Sequence, residues 1–168
     1  MKSVLYMDIS LNGYIAKENG ETPWSQCIWD SYYRTAKEFK AIILGRVTYE
    51  LMKEVAEFDK LNNPFTVVVT TQRLKSNNNL IFVNTPKQAL KLLKEKGFEN
   101  VLILGGGILN SSFMKEGLID ELYLDIEPII FGRGIPLFSE NDFEARLEFL
   151  DSKKLSPEII QLHYKIKK

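Results

Sequence analysis

The chain has one cysteine, Cys27, and one histidine, His163, in 168 residues. A lone cysteine excludes an intrachain disulfide and makes a reducing cytoplasm the expected compartment. One thiol and one imidazole also leave a structural zinc site short of its tetrahedral set of such ligands, so no metal is expected. Long apolar runs are missing too. None approaches the roughly 20 residues that cross a bilayer, and the N-terminal MKSVLYMDIS carries Asp8 and no extended apolar core, which argues against a signal peptide. There is no excess of either charge: 22 Lys and Arg balance 22 Asp and Glu, which gives no reason to expect nucleic acid or an anionic membrane as partner. Repeats, low-complexity tracts and linkers are absent, so residues 1–168 read as one domain with room for a substantial core.

What is present is a set of short apolar runs that end in turn residues. The run Val101-Leu102-Ile103-Leu104 suits a strand buried on both faces, and Gly105-Gly106-Gly107 ends it. Ile108, Leu109, Phe113 and Met114 follow at helical spacing, and Gly117 is a natural C-cap. Strand, glycine turn and helix in that order let backbone approach a ligand closely and offer free N–H groups to a phosphate. The alternative is a tight turn that binds nothing. The spacing is not GxGxxG, so a dinucleotide-binding Rossmann domain is not implied.

Further strands are expected over 3–9, 41–44, 65–70 and 80–83, with a short apolar return at Tyr14-Ile15-Ala16. Helices are expected over 25–39 and 48–58, and after Thr85-Pro86-Lys87-Gln88, where an N-cap, a first-turn proline and a capping-box glutamine coincide. Residues 119–126 alternate Leu122, Leu124 and Ile126 with Glu121, Tyr123 and Asp125, which predicts a strand with its acidic side outward. Residues 131–136 read as a loop, and 147–150 and 159–166 as closing strands. Helices alternate with buried strands early and exposed strands gather late. The fold class is therefore α/β, with a sheet parallel in its middle and antiparallel strands at the C-terminal end.

Ligands in open α/β sheets sit at the carboxyl ends of strands. Here those ends carry Gly45-Arg46-Val47-Thr48, Thr70-Thr71-Gln72-Arg73 and the three glycines. Arg46, Thr48, Thr71 and Arg73 have the donors that match phosphate. Taken singly, Thr48 is also a plausible N-cap, and either arginine a solvated surface charge. Trp24, after Pro23, is a packing anchor or stands beside a ligand ring. Asp30 is a favourable charge near a helix N-terminus, or a carboxylate serving a proton relay. His163 reads as structural.

The segments NGYIA (12–16), PW (23–24), ILGRVTYE (43–50), VVVTTQ (67–72), ILGGGILNSSF (103–113) and IDELYLDIEPIIFGRGIPLF (119–138) occur in an order that resembles the dihydrofolate reductase-like superfamily. Within it the chain is similar to the branch related to the reductase domain of bacterial riboflavin biosynthesis. The resemblance spans nearly the whole chain. It implies a mixed, mostly parallel sheet flanked by helices, and NADPH as cofactor. By resemblance, Gly45, Arg46, Val47 and Thr48 hold the cofactor phosphates, and Thr70, Thr71 and Gln72 line the adenine-ribose side. Gly105, Gly106, Gly107, Ile108 and Leu109 lie against the pyrophosphate and nicotinamide ribose. Arg46 and Arg73 favour a 2′-phosphate. Asn12 and Trp24 fall on the substrate side.

The chain departs from the family in two places. The LDG turn common in this branch is Asn12-Gly13 here, and the acid that follows the PW motif in dihydrofolate reductases falls near Trp29, one residue before Asp30. The riboflavin enzyme usually carries a deaminase domain before its reductase domain, for which 168 residues leave no room. The expectation is a cytoplasmic reductase moving a hydride from NADPH to a small pteridine- or pyrimidine-like heterocycle, with Asp30 supporting protonation. Its rival is a nucleotide-binding module of the same fold without catalysis. The branch implies a homodimer, and the apolar residues Ile129, Ile130, Phe131, Ile135, Leu137 and Phe138 need burial in the core or against a partner.

Overall fold

A computed structural model describes residues 1–167. β1 (Lys2–Ser10) lies between two parallel neighbours, β6 (Asn100–Ile103) and β7 (Glu121–Glu127). Its central position explains its almost unbroken apolar run, because both faces are covered. Beyond β6 the parallel order continues through β3 (Ala41–Gly45), β4 (Phe65–Val69) and β5 (Leu80–Val83). Beyond β7 the direction reverses in β10 (Ile160–Ile166), and β9 (Leu147–Lys154) pairs antiparallel with it at the edge. The sheet order is β5-β4-β3-β6-β1-β7-β10-β9. This is the mostly parallel α/β sheet with antiparallel C-terminal additions that the sequence predicts.

Helices cover both faces. α4 (Pro86–Glu95) and α5 (Gly107–Lys115) place Ala89, Leu93, Leu109 and Phe113 against Leu5, Ile43, Val67 and Ile103. On the opposite face α1 (Gln26–Ala36) and α2 (Arg46–Glu54) place Tyr32, Ala36 and Met52 against Val4, Tyr6, Ile42, Leu44 and Leu102. Thr85 caps α4 by accepting from the Gln88 N–H at 3.2 Å, and Gln88 reaches back to the Asn84 N–H.

Three expectations change. The helix expected over 48–58 breaks: α2 ends at Glu54, Ala56 adopts a left-handed φ of 51°, and a single turn, α3 (Glu57–Lys60), follows. Residues 134–136 are not loop. They form β8 (Gly134–Pro136), which pairs antiparallel with β2 (Tyr14–Lys17) to make a small second sheet. The acidic side of β7 does not face water throughout: Asp125 is fully buried, because β10 and α1 cover that face. The apolar 129–138 segment divides. Phe131 is buried beside Trp24 and Ile28, Phe138 packs on the main core, and Ile130 stays exposed.

Candidate functional site

β3 and β6 are neighbours, so the turns that follow them meet. The Gly45 N–H donates to the Gly105 carbonyl at 2.8 Å, and the Leu104 N–H to the Ile43 carbonyl at 3.1 Å. Gly45 is the N-cap of α2 and Gly106 the N-cap of α5, and neither helix start is satisfied by a side-chain cap. Two helix N-termini with unclaimed N–H groups thus open side by side at the carboxyl ends of adjacent strands. That arrangement attracts anions through both free donors and helix dipoles.

Each glycine of the turn has its own reason. Gly105 has φ +84°, and a Cβ there would stand 3.0 Å from Met7 Sδ. A Cβ on Gly107 would stand 2.5 Å from the Pro136 carbonyl oxygen, so the β8 segment closes against backbone at that point. The Ser139 N–H donates to the Gly107 carbonyl, and Asn110 Nδ2 and Ser111 Oγ donate to the carbonyls of Leu137 and Ser139. Gly106 is extended and half-buried. Its Cβ position lies 3.6 Å from Thr48 Oγ1 and 3.8 Å from Ile15 Cδ1, an ordinary contact distance that leaves a shallow cradle between α2, α5 and β2. The cradle fits a backbone-bound phosphate or pyrophosphate: the N-terminal N–H groups of α2 and α5 and the Thr48 hydroxyl border it.

The structure brings Gly45, Thr48, Gly105, Gly106 and Gly107 together. Ile108 projects from α5 with 77% of its surface exposed, while Leu109 turns inward to the core. Val47 is exposed on the first turn of α2. At the end of β4, Thr70 is buried and its Oγ1 accepts from the Gln72 N–H at 3.1 Å; Thr71, Gln72 and Arg73 are exposed. Arg73 has no ion-pair partner among the described residues.

Four of the expected site residues have partners within the chain. Arg46 Nη1 donates to both Glu50 carboxylate oxygens at 2.6–2.7 Å one turn along α2. Asp30 is exposed and accepts from Gln26 Nε2 at 2.8 Å; the sheet-facing residues of α1 are Ile28, Ser31 and Tyr32. Trp24 is a packing anchor, buried and stacked on Phe131 with ring centroids 6.1 Å apart. Asn12 is a clamp, because its side chain accepts from the Phe131 N–H and donates to the Phe131 carbonyl, tying the β1–β2 turn to the segment before β8.

Sequence reasoning missed the polar cluster on the α1 side of the sheet. Tyr6 Oη lies 3.0 Å from Asp8 Oδ1 and 2.7 Å from Asp125 Oδ2, and Gln161 Nε2 donates to Asp125 Oδ1 at 2.7 Å. Burial, then the charges of Asp8 and Asp125, push the Tyr6 hydroxyl far above its usual range. Burial and the neighbouring Asp125 raise Asp8 well above an ordinary carboxyl. The signal is visible only with the register, which sets Asp8 opposite Asp125 and Gln161 opposite Asp125. His163 is structural as expected, bonded to Glu121 at 2.8 Å and stacked on Tyr123.

Comparison with known proteins agrees with this geometry. The chain is 34% identical over 173 residues to the uncharacterized protein YwjB of Bacillus subtilis (strain 168), covering 97% of both chains. A putative riboflavin biosynthesis protein from Shewanella sp. PV-4 shares the fold with a TM-score of 0.83 at 24% identity, each chain covered completely. A pyrimidine reductase-like protein from Corynebacterium diphtheriae does so with a TM-score of 0.75 at 17% identity, covering 99% of this chain and 92% of its own. The family model for the RibD C-terminal domain matches residues 2–161, and the chain belongs to that family.

Proposed function

We propose that the protein is an NADPH-dependent reductase that delivers a hydride to a small pyrimidine- or pteridine-like heterocycle. The observation that carries this reading is the hydrogen bond from Gly45 to Gly105, which holds two uncapped helix N-termini against one glycine cradle. Membership of a family of reductase-type domains supports the same reaction class, and the pyrimidine reductase-like neighbour supports the substrate class. When bound, the cofactor supplies the hydride. The chain's part is to bind, orient and shield it. The α2 and α5 N-terminal N–H groups take the phosphates, Thr48 Oγ1 adds a donor, and the exposed Thr71, Gln72 and Arg73 lie on the adenosine side. Arg73 is the group available for a 2′-phosphate, because Arg46 is engaged by Glu50.

Titration of the protein with NADPH and with NADH, followed by cofactor fluorescence, tests the binding half of this reading. NADPH oxidation against a panel of pterins, pyrimidines and flavin precursors tests the catalytic half. Tighter binding of NADPH with turnover of at least one heterocycle is expected. Binding without turnover on any of them favours the catalytically inactive nucleotide-binding module, and absence of binding defeats both.

A further inference from the structure

The Tyr6, Asp8 and Asp125 cluster has a hydrogen-bond arithmetic that fixes its proton content. Tyr6 and Asp8 lie two apart on β1 and so share a face, and the parallel register sets Asp8 beside Asp125 on β7. The Tyr6 hydroxyl lies within bonding distance of a carboxyl oxygen on each side, but it has one hydrogen to donate. The second contact therefore needs a hydrogen from a carboxyl. Asp125 accepts from Gln161 on its other oxygen, and burial with the charge of Asp125 favours the protonated form of Asp8. Asp8 has no other partner in this cluster and supplies the hydrogen. The chain runs from the Asp8 carboxyl O–H to Tyr6 Oη, and from the Tyr6 O–H to Asp125 Oδ2.

The cluster sits at the level of the glycine turn. The parallel register pairs Leu5 with Ile103, so Asp8, three residues on, is level with Gly106; it lies on the α1 and α2 face, from which Thr48 Oγ1 approaches the Gly106 Cβ position at 3.6 Å. Asp125 has no exposed surface and Asp8 keeps 9%, so Asp8 is the less buried end of the chain. The titratable groups that face it are Tyr6 on its own strand, Asp125 and Glu127 on β7, and Tyr32 on α1. From the β6 side, Leu102 and, just beyond the strand, Leu104 pack on this face. No cation among the described residues offsets the pair, and burial with the charges of Asp125 and Glu127 favours the protonated form of Asp8.

We propose that Asp8, Tyr6 and Asp125 form a hydrogen-bonded chain with a single carboxyl proton that is the acid of the reduction, with Asp8 giving that proton to the heterocycle as the carbon beside it takes the hydride. The inference rests on the reductase reading above. In the step, a C=N bond is reduced. A C–H bond forms with hydride from the reduced nicotinamide, which is oxidised, and an N–H bond forms with the proton from the Asp8 carboxyl. The Asp8 O–H bond breaks, and the carboxylate regains its proton from water. Asp125 and Tyr6 are positioning residues, which hold the proton on Asp8 by keeping the pair from ionising together.

Carboxyl NMR of protein labelled with 13C at aspartate tests this without a substrate, in the free protein and with saturating NADPH or NADP+, over about pH 4 to 9. Cofactor occupancy is verified separately by fluorescence. The signal lost in Asp8→Asn is assigned to Asp8; Tyr6→Phe, which removes the bridge and leaves both carboxyls, provides an independent assignment through its altered midpoint. The expected result is one carboxyl still protonated at neutral pH. Its midpoint should fall by about one pH unit or more with NADP+ relative to NADPH, because the two differ by one positive charge on the ring beside the acid. Both carboxyls ionised at neutral pH overturns the proton chain. A protonated carboxyl with the same midpoint in both complexes overturns its role as the acid, as a purely structural pair would behave that way. Failure of either cofactor to bind instead overturns the reductase reading, and the catalytic role of the chain with it.

Discussion

The Gly45 N–H donates to the Gly105 carbonyl oxygen at 2.8 Å, and this bond couples two turns 60 residues apart in sequence into one surface. It exists because β3 and β6 are adjacent parallel strands whose carboxyl ends lie level. A helix starts directly after each turn, so the N–H groups of α2 and α5 point into the same space. A single helix terminus attracts an anion weakly when exposed; two that converge on one cradle do so together.

The two arginines near this surface are expected to differ. Arg73→Ala should weaken NADPH binding about tenfold with little effect on NADH, the loss of one charge-assisted phosphate contact. Arg46→Ala should change the NADPH-to-NADH ratio far less, since its guanidinium is held by Glu50. Fluorescence titration of both variants with both cofactors checks this. Equal loss for the two cofactors in Arg73→Ala would remove the 2′-phosphate assignment.

The glycines should separate into binding and packing positions. Gly106→Val is expected to keep its fold and abolish cofactor binding, since the Gly106 backbone is already extended and the new side chain fills the cradle between Thr48 and Ile15. Gly107→Ala is expected to destabilise by about 2–3 kcal/mol, an overpacking cost, because its Cβ meets the Pro136 carbonyl. Thermal or urea unfolding beside cofactor titration distinguishes the two. A folded Gly106→Val variant with unchanged affinity would leave the glycines a turn role only.

Stability should carry an acid-side dependence from Glu121. Burial pushes its carboxyl up, but bonds from Lys2 and His163 outweigh that and hold it below the usual range. A folded value below the unfolded one, about 4.3, stabilises above that pH and loses the contribution as pH falls through the folded value. Glu121→Gln should therefore cost about 1 kcal/mol at pH 7 and less near pH 3. Urea denaturation of both proteins at the two pH values measures it; a pH-independent difference would assign the cost to packing.

A homodimer is expected, with β9 as its contact. β9 is an edge strand exposed along its length, and it carries Leu147, Phe149 and Leu150. Unprotected apolar edges of this kind invite strand pairing with a second copy. Light scattering after size exclusion should give twice the 19.4 kDa chain mass, and Phe149→Glu should shift it toward monomer. A monomer mass for the native protein across micromolar concentrations would defeat the dimer.

The sequence by itself determined where most strands and helices fall and which turns are rich in glycine. Buried parallel strands read as apolar runs, and glycines at their ends mark backbone that must turn or be approached. Those signals are local, so VLILGGG and the Thr85 cap were legible from the chain alone. Tertiary structure decided what depends on a neighbour distant in sequence. Asp125 looked outward because alternation specifies two faces without saying which is covered, and only the docking of β10 and α1 buried it. The sequence left Trp24 open between packing and a ligand role and the resemblance put Asn12 on the substrate side; the fold sets both against Phe131, more than 100 positions away. The surroundings of Asp30 and Asp8 were set by the fold in the same way. Helical rotation turned Asp30 to solvent, whereas parallel register brought Asp8 against a second carboxylate, and charge proximity is a property of the fold.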